Sequence, residues 1–345
     1  MDKSFKQYDL LAAGRAGIDF NPVHIGHTFA LTPEFTKSVG GSPSNIVIGA
    51  AKLGLRTGFI GKTSYDGMGE YICQTFRHFG IGTEGLVFDH TGARNCLAIL
   101  EVISSENSGA YESKGDDCFH GTYLYREKTA DMLLCAEEIS EEQIAASRSV
   151  VVTGTAFSME PSRSAMFRIL ELARKHHVTT VLDLDYRPYG WTGLEEASAC
   201  YQKMLPQCDI ILGNRQEFDV VELTAMPENK DNRVSAETML KNGADIVIVK
   251  DGSNGSWGYS KNAAPVFRAC IPTKILKTFG SGDAYAAGFM YGFLNGHSLA
   301  ESIEFGTANA SLALAGGISC SESMPSVDQM LAHREKSLSC WEGNK

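Results

Sequence analysis

The sequence has no Cys-x-x-Cys pair, no internal repeat, no low-complexity segment and no excess of positive charge. Its apolar runs all fall short of the roughly 20 residues that a membrane helix needs. Each absence excludes something. The nine cysteines, at 73, 96, 118, 135, 200, 208, 270, 320 and 340, are odd in number and scattered. Without paired spacing they read as reduced thiols of a cytosolic protein, neither a disulfide framework nor a metal cluster. A formal net charge of -10 argues against non-specific nucleic-acid binding, which needs a basic surface. Any anionic ligand must then be held by local positive groups. The polar start Met1-Asp2-Lys3-Ser4-Phe5-Lys6-Gln7 does not resemble a signal peptide. A cytoplasmic protein without membrane contact is expected, and the sequons at Asn254 and Asn309 are chance matches.

What is present is an ordinary globular composition, with 345 residues, 43% hydrophobic and 21% charged. A chain this long buries a core without disulfides or a structural metal. Short β-branched or apolar runs at 8–13, 96–103, 149–153, 178–184, 209–212 and 245–249 predict strands. Amphipathic stretches at 44–53, 68–79, 162–176, 195–205, 235–241 and 282–294 predict helices. From about residue 150 the two alternate. That rhythm predicts an α/β fold, with a doubly wound, mostly parallel sheet covered by helices. Segments near 20–39 and 90–127 carry strand-like pieces without long helices, and predict a small β-sheet lid beside the cleft. One domain over 1–335 is expected, ending in an amphipathic helix and a loose polar tail at 336–345. In such sheets ligands sit at the carboxyl ends of the strands.

Three tempting motifs fail. Gly80-Ile81-Gly82-Thr83-Glu84-Gly85 matches a dinucleotide fingerprint, but the predicted helix precedes it and a strand-like run follows, the reverse of the required order. It reads as a helix stop. Gly61-Lys62-Thr63 would end a Walker A loop, but the first glycine of that pattern falls on Arg56. His24 and His27 have no third ligand nearby.

Gly280-Ser281-Gly282-Asp283 runs into an apolar helix with small residues early on. Glycines allow a tight turn whose amides converge, and the helix N-terminus adds positive character. Such a turn suits the charge of a phosphoryl group in transfer. Asp283 could cap the helix or take the proton of an attacking hydroxyl. Gly40-Gly41-Ser42-Pro43-Ser44-Asn45 opens the first helix, where paired glycines let a ligand approach the backbone. Asn214 and Glu217 share a helical face after the strand at 209–212, placed to orient a hydrated Mg²⁺. Lys250-Asp251-Gly252-Ser253-Asn254-Gly255 follows another strand, and its glycines would let the chain wrap a nucleotide.

Together these four blocks resemble the ribokinase-like carbohydrate kinase family over nearly the full chain. The resemblance implies ATP and Mg²⁺ as cofactors, Asp283 as base, and Gly280, Ser281 and Gly282 as an anion hole. It places Asn214 and Glu217 on Mg-ATP, with Glu217 reaching the metal through water. Lys250, Gly252, Gly255 and Asn309 would line the nucleotide site, and Asp19, Gly41 and Asn45 the sugar site. The family signature usually has Asp where Lys277 stands and Thr where Phe279 stands. That departure bears on any monovalent cation and leaves the base intact.

Two segments bear on the substrate. Tyr123-Leu124-Tyr125-Arg126-Glu127 falls in the expected lid, and Asp183-Leu184-Asp185-Tyr186-Arg187-Pro188 ends a strand. Guanidinium binds carboxylate bidentately, so Arg126 and Arg187 favour a sugar acid over a neutral sugar, although arginines more often make surface ion pairs. Both segments resemble the acid-specific branch of the family. The resemblance implies phosphorylation of the 6-hydroxyl of 5-dehydro-2-deoxygluconate ahead of 2-keto-3-deoxygluconate or fructose. A sugar-binding regulator without catalysis is the reading from another class, and the lid strands suggest a homodimer.

Overall fold

The structure is a computed structural model that describes residues 6–104, 118–261, 263–317 and 319–342. Thirteen strands are present among them: β1 (Leu10–Ala13), β2 (Gly17–Pro22), β3 (Phe35–Gly40), β4 (Thr57–Ser64), β5 (Gly82–Asp89), β6 (Leu97–Ser104), β7 (Cys118–Tyr125), β8 (Ser149–Thr153), β9 (Thr179–Asp183), β10 (Ile210–Asn214), β11 (Ile246–Lys250), β12 (Ser256–Ser260) and β13 (Val266–Arg268).

Nine of them form one sheet in the order β13-β12-β11-β10-β9-β8-β1-β4-β5. Pairing is parallel from β11 to β5, and the β12–β13 hairpin adds an antiparallel edge. Each central strand is apolar on both faces because helices cover both. Val150 and Val152 join the core under the helices Ser162–Lys175 and Leu194–Met204, while Val151 points the other way. There it meets Ile46 of the helix Ser42–Lys52, Phe289 of Ser281–Leu294 and Phe305 of Leu299–Ala315. Burying such a side chain contributes on the order of 1.5–3 kcal/mol.

From β1 the chain first builds outward to β4 and β5, then returns to β8 on the other side. The switch therefore lies at the carboxyl ends of β1 and β8, where an open α/β sheet makes its cleft. The lid rises there. Only Gly14, Arg15 and Ala16 separate β1 from β2. Strands β3-β2-β6-β7 form a second, four-stranded sheet, with β2 antiparallel to β3 and parallel to β6. The expected β layer is thus present, although its stretch at 105–117 lies outside the described residues.

Sequence periodicity missed β4 and the β12–β13 hairpin. Strand β4 is buried at every position, so it shows no alternation to read. The last described turn, Ser339–Glu342, is anchored. Trp341 is buried and its indole donates to the Ala269 carbonyl at 3.0 Å, where a loose tail was expected. No described helix is long and apolar enough to cross a membrane.

Candidate active site

The helix Ser281–Leu294 begins at Gly280, whose φ of 72° is left-handed. A Cβ at Gly280 would sit 3.0 Å from Cβ of Cys320, so glycine is needed for both backbone and space. The Ser281 hydroxyl donates to the Thr278 carbonyl at 2.9 Å and closes the turn. The residues of this helix end, Gly280 to Asp283, line the cleft, and a helix N-terminus leaves amides free for an anion.

Asp283 sits in the first helical turn. It does not cap the helix. Its Oδ1 accepts from the Ser42 hydroxyl at 2.7 Å and its Oδ2 from Nδ2 of Asn45 at 2.8 Å. Burial pushes its carboxyl up to about 6, with Asp185 and Asp183 adding repulsion and the two bonds pulling down. A carboxylate with that pKa is ionised near neutrality and still basic enough to accept a proton. The Ser42–Lys52 helix that supplies both donors starts at Gly41, where φ is 107° and a Cβ would come 2.5 Å from the Arg15 carbonyl oxygen.

Asp19 on β2 lies buried over Gly40, where a Cβ would land 2.0 Å from its carboxyl carbon. Burial raises it to about 6, with Asp283 raising it further and Arg15 and Lys277 opposing. Asp19, Ser42, Asn45 and Asp283 therefore form one cluster where the lid meets the main sheet.

On the other side of Asp283 a cleft of about 740 Å³ opens, lined by Gly280 to Asp283, Asp183, Asp185, Arg187, Asn214, Glu217, Lys250, Gly252 and Gly255. Asn214 and Glu217 form a reciprocal helix cap: Asn214 Oδ1 accepts from the Glu217 amide at 2.9 Å, and Glu217 Oε2 from the Asn214 amide at 2.8 Å. The Lys250 ammonium donates to Asp183 at 3.2 Å, and a Cβ on Gly282 would lie 3.4 Å from it. Burial opposes its charge, but Asp183, Glu217 and Asp283 more than offset that and hold it protonated. The glycines at 252 and 255 have φ of 52° and 105°, and Gly252 leaves open space for a ligand.

The residues suit a hydrated Mg²⁺. Burial raises Asp183 to about 6, and burial raises Glu217 as well, so both would gain from a cation. Among the described residues no group of three or more His, Cys, Asp or Glu forms a cage. That fits an ion held through water, one or two carboxylates and nucleotide phosphates.

Of the remaining expected site residues, Arg187 alone lines this cleft. Asn309 is fully buried and ties two helices, its Nδ2 donating to the Ala284 carbonyl at 2.8 Å; Thr307, Ala310 and Ser311 of the same helix reach the cleft instead. Arg126 is buried, pairing with Asp131 at 2.7 Å and donating to the Thr155 carbonyl at 3.0 Å. Arg187 lines the cleft, exposed, and pairs with Asp185 at 3.0 Å. Lys277 is buried with its ammonium on the Ser319 carbonyl at 2.7 Å and the Ser323 hydroxyl at 2.9 Å.

The set-aside motifs have structural uses. Gly80, with a φ of 71°, ends the helix Gly67–His78, and Gly82 opens β5. Lys62 lies inside β4, paired with Glu138 at 2.7 Å. His24 is exposed, 4.0 Å from Glu34. Sequence reasoning missed Ser42, Asp183, Asp185 and Arg15. The two aspartates stood beside Arg187 in the quoted run, at the end of a strand, and that position was the available signal.

The profile of the pfkB family carbohydrate kinases matches residues 9–325. The chain belongs to this family. A 5-dehydro-2-deoxygluconokinase of Bacillus licheniformis is 40% identical over 326 residues, 94% of this chain and 95% of the relative. Among solved structures, a fructokinase with bound ATP from Xylella fastidiosa superposes with a TM-score of 0.82 at 19% identity, covering 96% of this chain and 99% of that one. A putative ribokinase II from E. coli in complex with ATP and Mg²⁺ gives 0.81 at 16%, covering 95% and 99%. The pfkB kinase fold is thus shared from the lid to the C-terminal helices. The glycine-rich turn and Asp283 lie inside the matched span, as do Lys250 and Glu217.

Proposed function

We propose that this pfkB kinase transfers the γ-phosphoryl of Mg-ATP to the 6-hydroxyl of 5-dehydro-2-deoxygluconate. The observation that carries this reading is the position of Asp283. It is held by Ser42 and Asn45 on the lid side and borders the Lys250 cleft on the other. The name of the relatives that match this chain at 40% identity supports the substrate.

In this reading the sugar acid lies under the lid, with Asp19 and Asn45 on its hydroxyls and Gly41 allowing close approach. Asp283 accepts the proton of the attacking hydroxyl, and the two donors on it keep an oxygen lone pair aimed at that proton. The amides around Gly280, Ser281 and Gly282 stabilise the charge that develops on the transferred group. The Lys250 ammonium beside Gly282 adds to that stabilisation. Glu217 and Asn214 would hold a hydrated Mg²⁺, which would supply neutralisation of phosphate charge. Gly252 and Gly255 leave room for the nucleotide, and Asn309 fixes the helix behind it. Closure of the lid excludes water from the transfer.

The buried Lys277 ammonium supports turnover without an added monovalent cation. Equal rates with potassium and with tetramethylammonium would bear this out, and a tenfold loss without potassium would refute it. Exposed apolar residues on the lid, including Phe29, Leu31 and Tyr125, support a homodimer through that sheet. Sedimentation velocity at micromolar concentration decides it. An ATP-consuming reaction fits the cytoplasm.

ADP release from Mg-ATP, measured with 5-dehydro-2-deoxygluconate, 2-keto-3-deoxygluconate, fructose and ribose side by side, tests the substrate. Preference for the first is expected. Turnover of only another sugar would overturn the substrate and leave the kinase. Binding without turnover of any would favour a regulator.

A further inference from the structure

We propose that Arg15 is the residue that receives the carboxylate of the sugar acid and so sets acid specificity. This rests on the kinase reading above and adds a binding group that neither the motifs nor the relatives' names supply.

Arg15 joins β1 to β2, where the lid leaves the main sheet at the topological switch. Its side chain is nine-tenths buried. Among the described residues its guanidinium makes one hydrogen bond, from an η nitrogen to Sγ of Cys96 at 3.5 Å, a weak acceptor. Its Nε is buried and has no hydrogen-bond partner among the described residues. No described carboxylate lies within ion-pair distance of it, although Asp19 and Asp185 act on it from further off. A buried guanidinium left this way is costly. A ligand carboxylate, accepting two parallel N–H bonds, removes that cost.

The location is right for the substrate. A Cβ at Gly41 would lie 3.5 Å from Cγ of Arg15, and the Ser44 hydroxyl donates to the Arg15 carbonyl at 3.0 Å. Arg15 is thereby packed against the helix start that holds Asp283 through Ser42 and Asn45. Asp19 feels both Arg15 and Asp283. The acid's carboxylate and its 6-hydroxyl are opposite ends of the molecule. Asp19 thus neighbours both the guanidinium and the base, which suits a ligand carrying an acid, a polyol and a primary alcohol. The other two arginines are less free. Arg126 is already paired with Asp131, and Arg187 with Asp185 in the nucleotide cleft.

The wild type is assayed first with 5-dehydro-2-deoxygluconate and with its primary amide, which keeps the shape and loses the charge. If the acid is not phosphorylated at all, the substrate reading itself fails. If it is, kcat/KM for the acid should exceed that for the amide by about a hundredfold; a ratio under threefold would overturn the role of Arg15. Arg15→Met should raise KM for the acid at least thirtyfold, move KM for ATP less than twofold and leave KM for the amide unchanged. Acid and amide weakened together, or an acid KM within threefold of wild type, would overturn it. Thermal unfolding of the variant checks the fold. If Arg15→Met does not fold, Arg15→Lys carries the same test with a smaller KM rise, since charge stays and the fork is lost. If neither folds, the acid-to-amide ratio of the wild type decides.

Discussion

Nδ2 of Asn45 donates to Oδ2 of Asp283 at 2.8 Å, across 238 positions of chain. Ser42 holds the other oxygen at 2.7 Å. One helix start thereby aims the carboxylate carried by another. Asp283→Asn keeps the shape and removes the basicity. It should lower kcat by a hundredfold or more, in line with the roughly 10²–10⁴ that general base catalysis supplies, and leave nucleotide affinity within a few-fold. Steady-state kinetics with nucleotide titration checks this, and a variant keeping a tenth of wild-type kcat would exclude Asp283 as base.

Because Asp283 is raised to about 6, chiefly by burial and then by Asp185 and Asp183, activity should fall as pH drops through about 6. The bonds from Ser42 and Asn45 lower that value. Asn45→Ala should therefore move the acid limb of the kcat/KM profile to higher pH. An unmoved limb would detach it from Asp283.

The same shift acts on stability. The folded-state pKa of Asp283 lies above its ordinary value of 3.8, so between about 4 and 6 the folded protein binds more protons than the unfolded one. Stability from this group is lost as pH rises through that window, and the loss is complete above it. Asp283→Asn should raise the unfolding temperature at pH 7.5, and the gain should vanish by pH 4. Calorimetry at three pH values tests it.

Lys250→Met strips Asp183 and Glu217 of their common cation. Breaking a buried pair in this way should destabilise by on the order of 3 kcal/mol. It should also lower kcat by tenfold or more through loss of the charge beside Gly282. Adding Asp183→Asn should restore much of the stability and none of the kcat. Recovery of both would make the lysine purely structural.

Gly40→Ala places a methyl where the Asp19 carboxyl sits, at 2.0 Å. The carboxylate must move, so KM for the sugar should rise tenfold or more while KM for ATP stays put. Gly280→Ala instead meets a left-handed φ of 72° and Cys320, and should cost about 1 kcal/mol or more and lower kcat. The two glycine variants thus separate the sugar half from the anion-hole half.

The sequence by itself determined the α/β class, because long amphipathic stretches and short apolar runs report their own periods. It also determined the glycine-rich turn before Asp283, whose backbone needs are local. Buried strand β4 left no such trace, since a strand covered on both faces has no polar side. Only the tertiary structure decided what each charged group does. In the chain Arg15, Arg126 and Arg187 look alike; folding pairs Arg126 with Asp131 and Arg187 with Asp185, and leaves Arg15 buried beside a thiol. From its neighbours in sequence Asp283 could cap its helix or act as base; folding bonds it to Ser42 and Asn45, from the other end of the sequence, and not to the helix amides. Propensity and turn chemistry are near-neighbour effects, whereas pairing, burial and pKa are set by groups that meet only when the sheet and lid assemble.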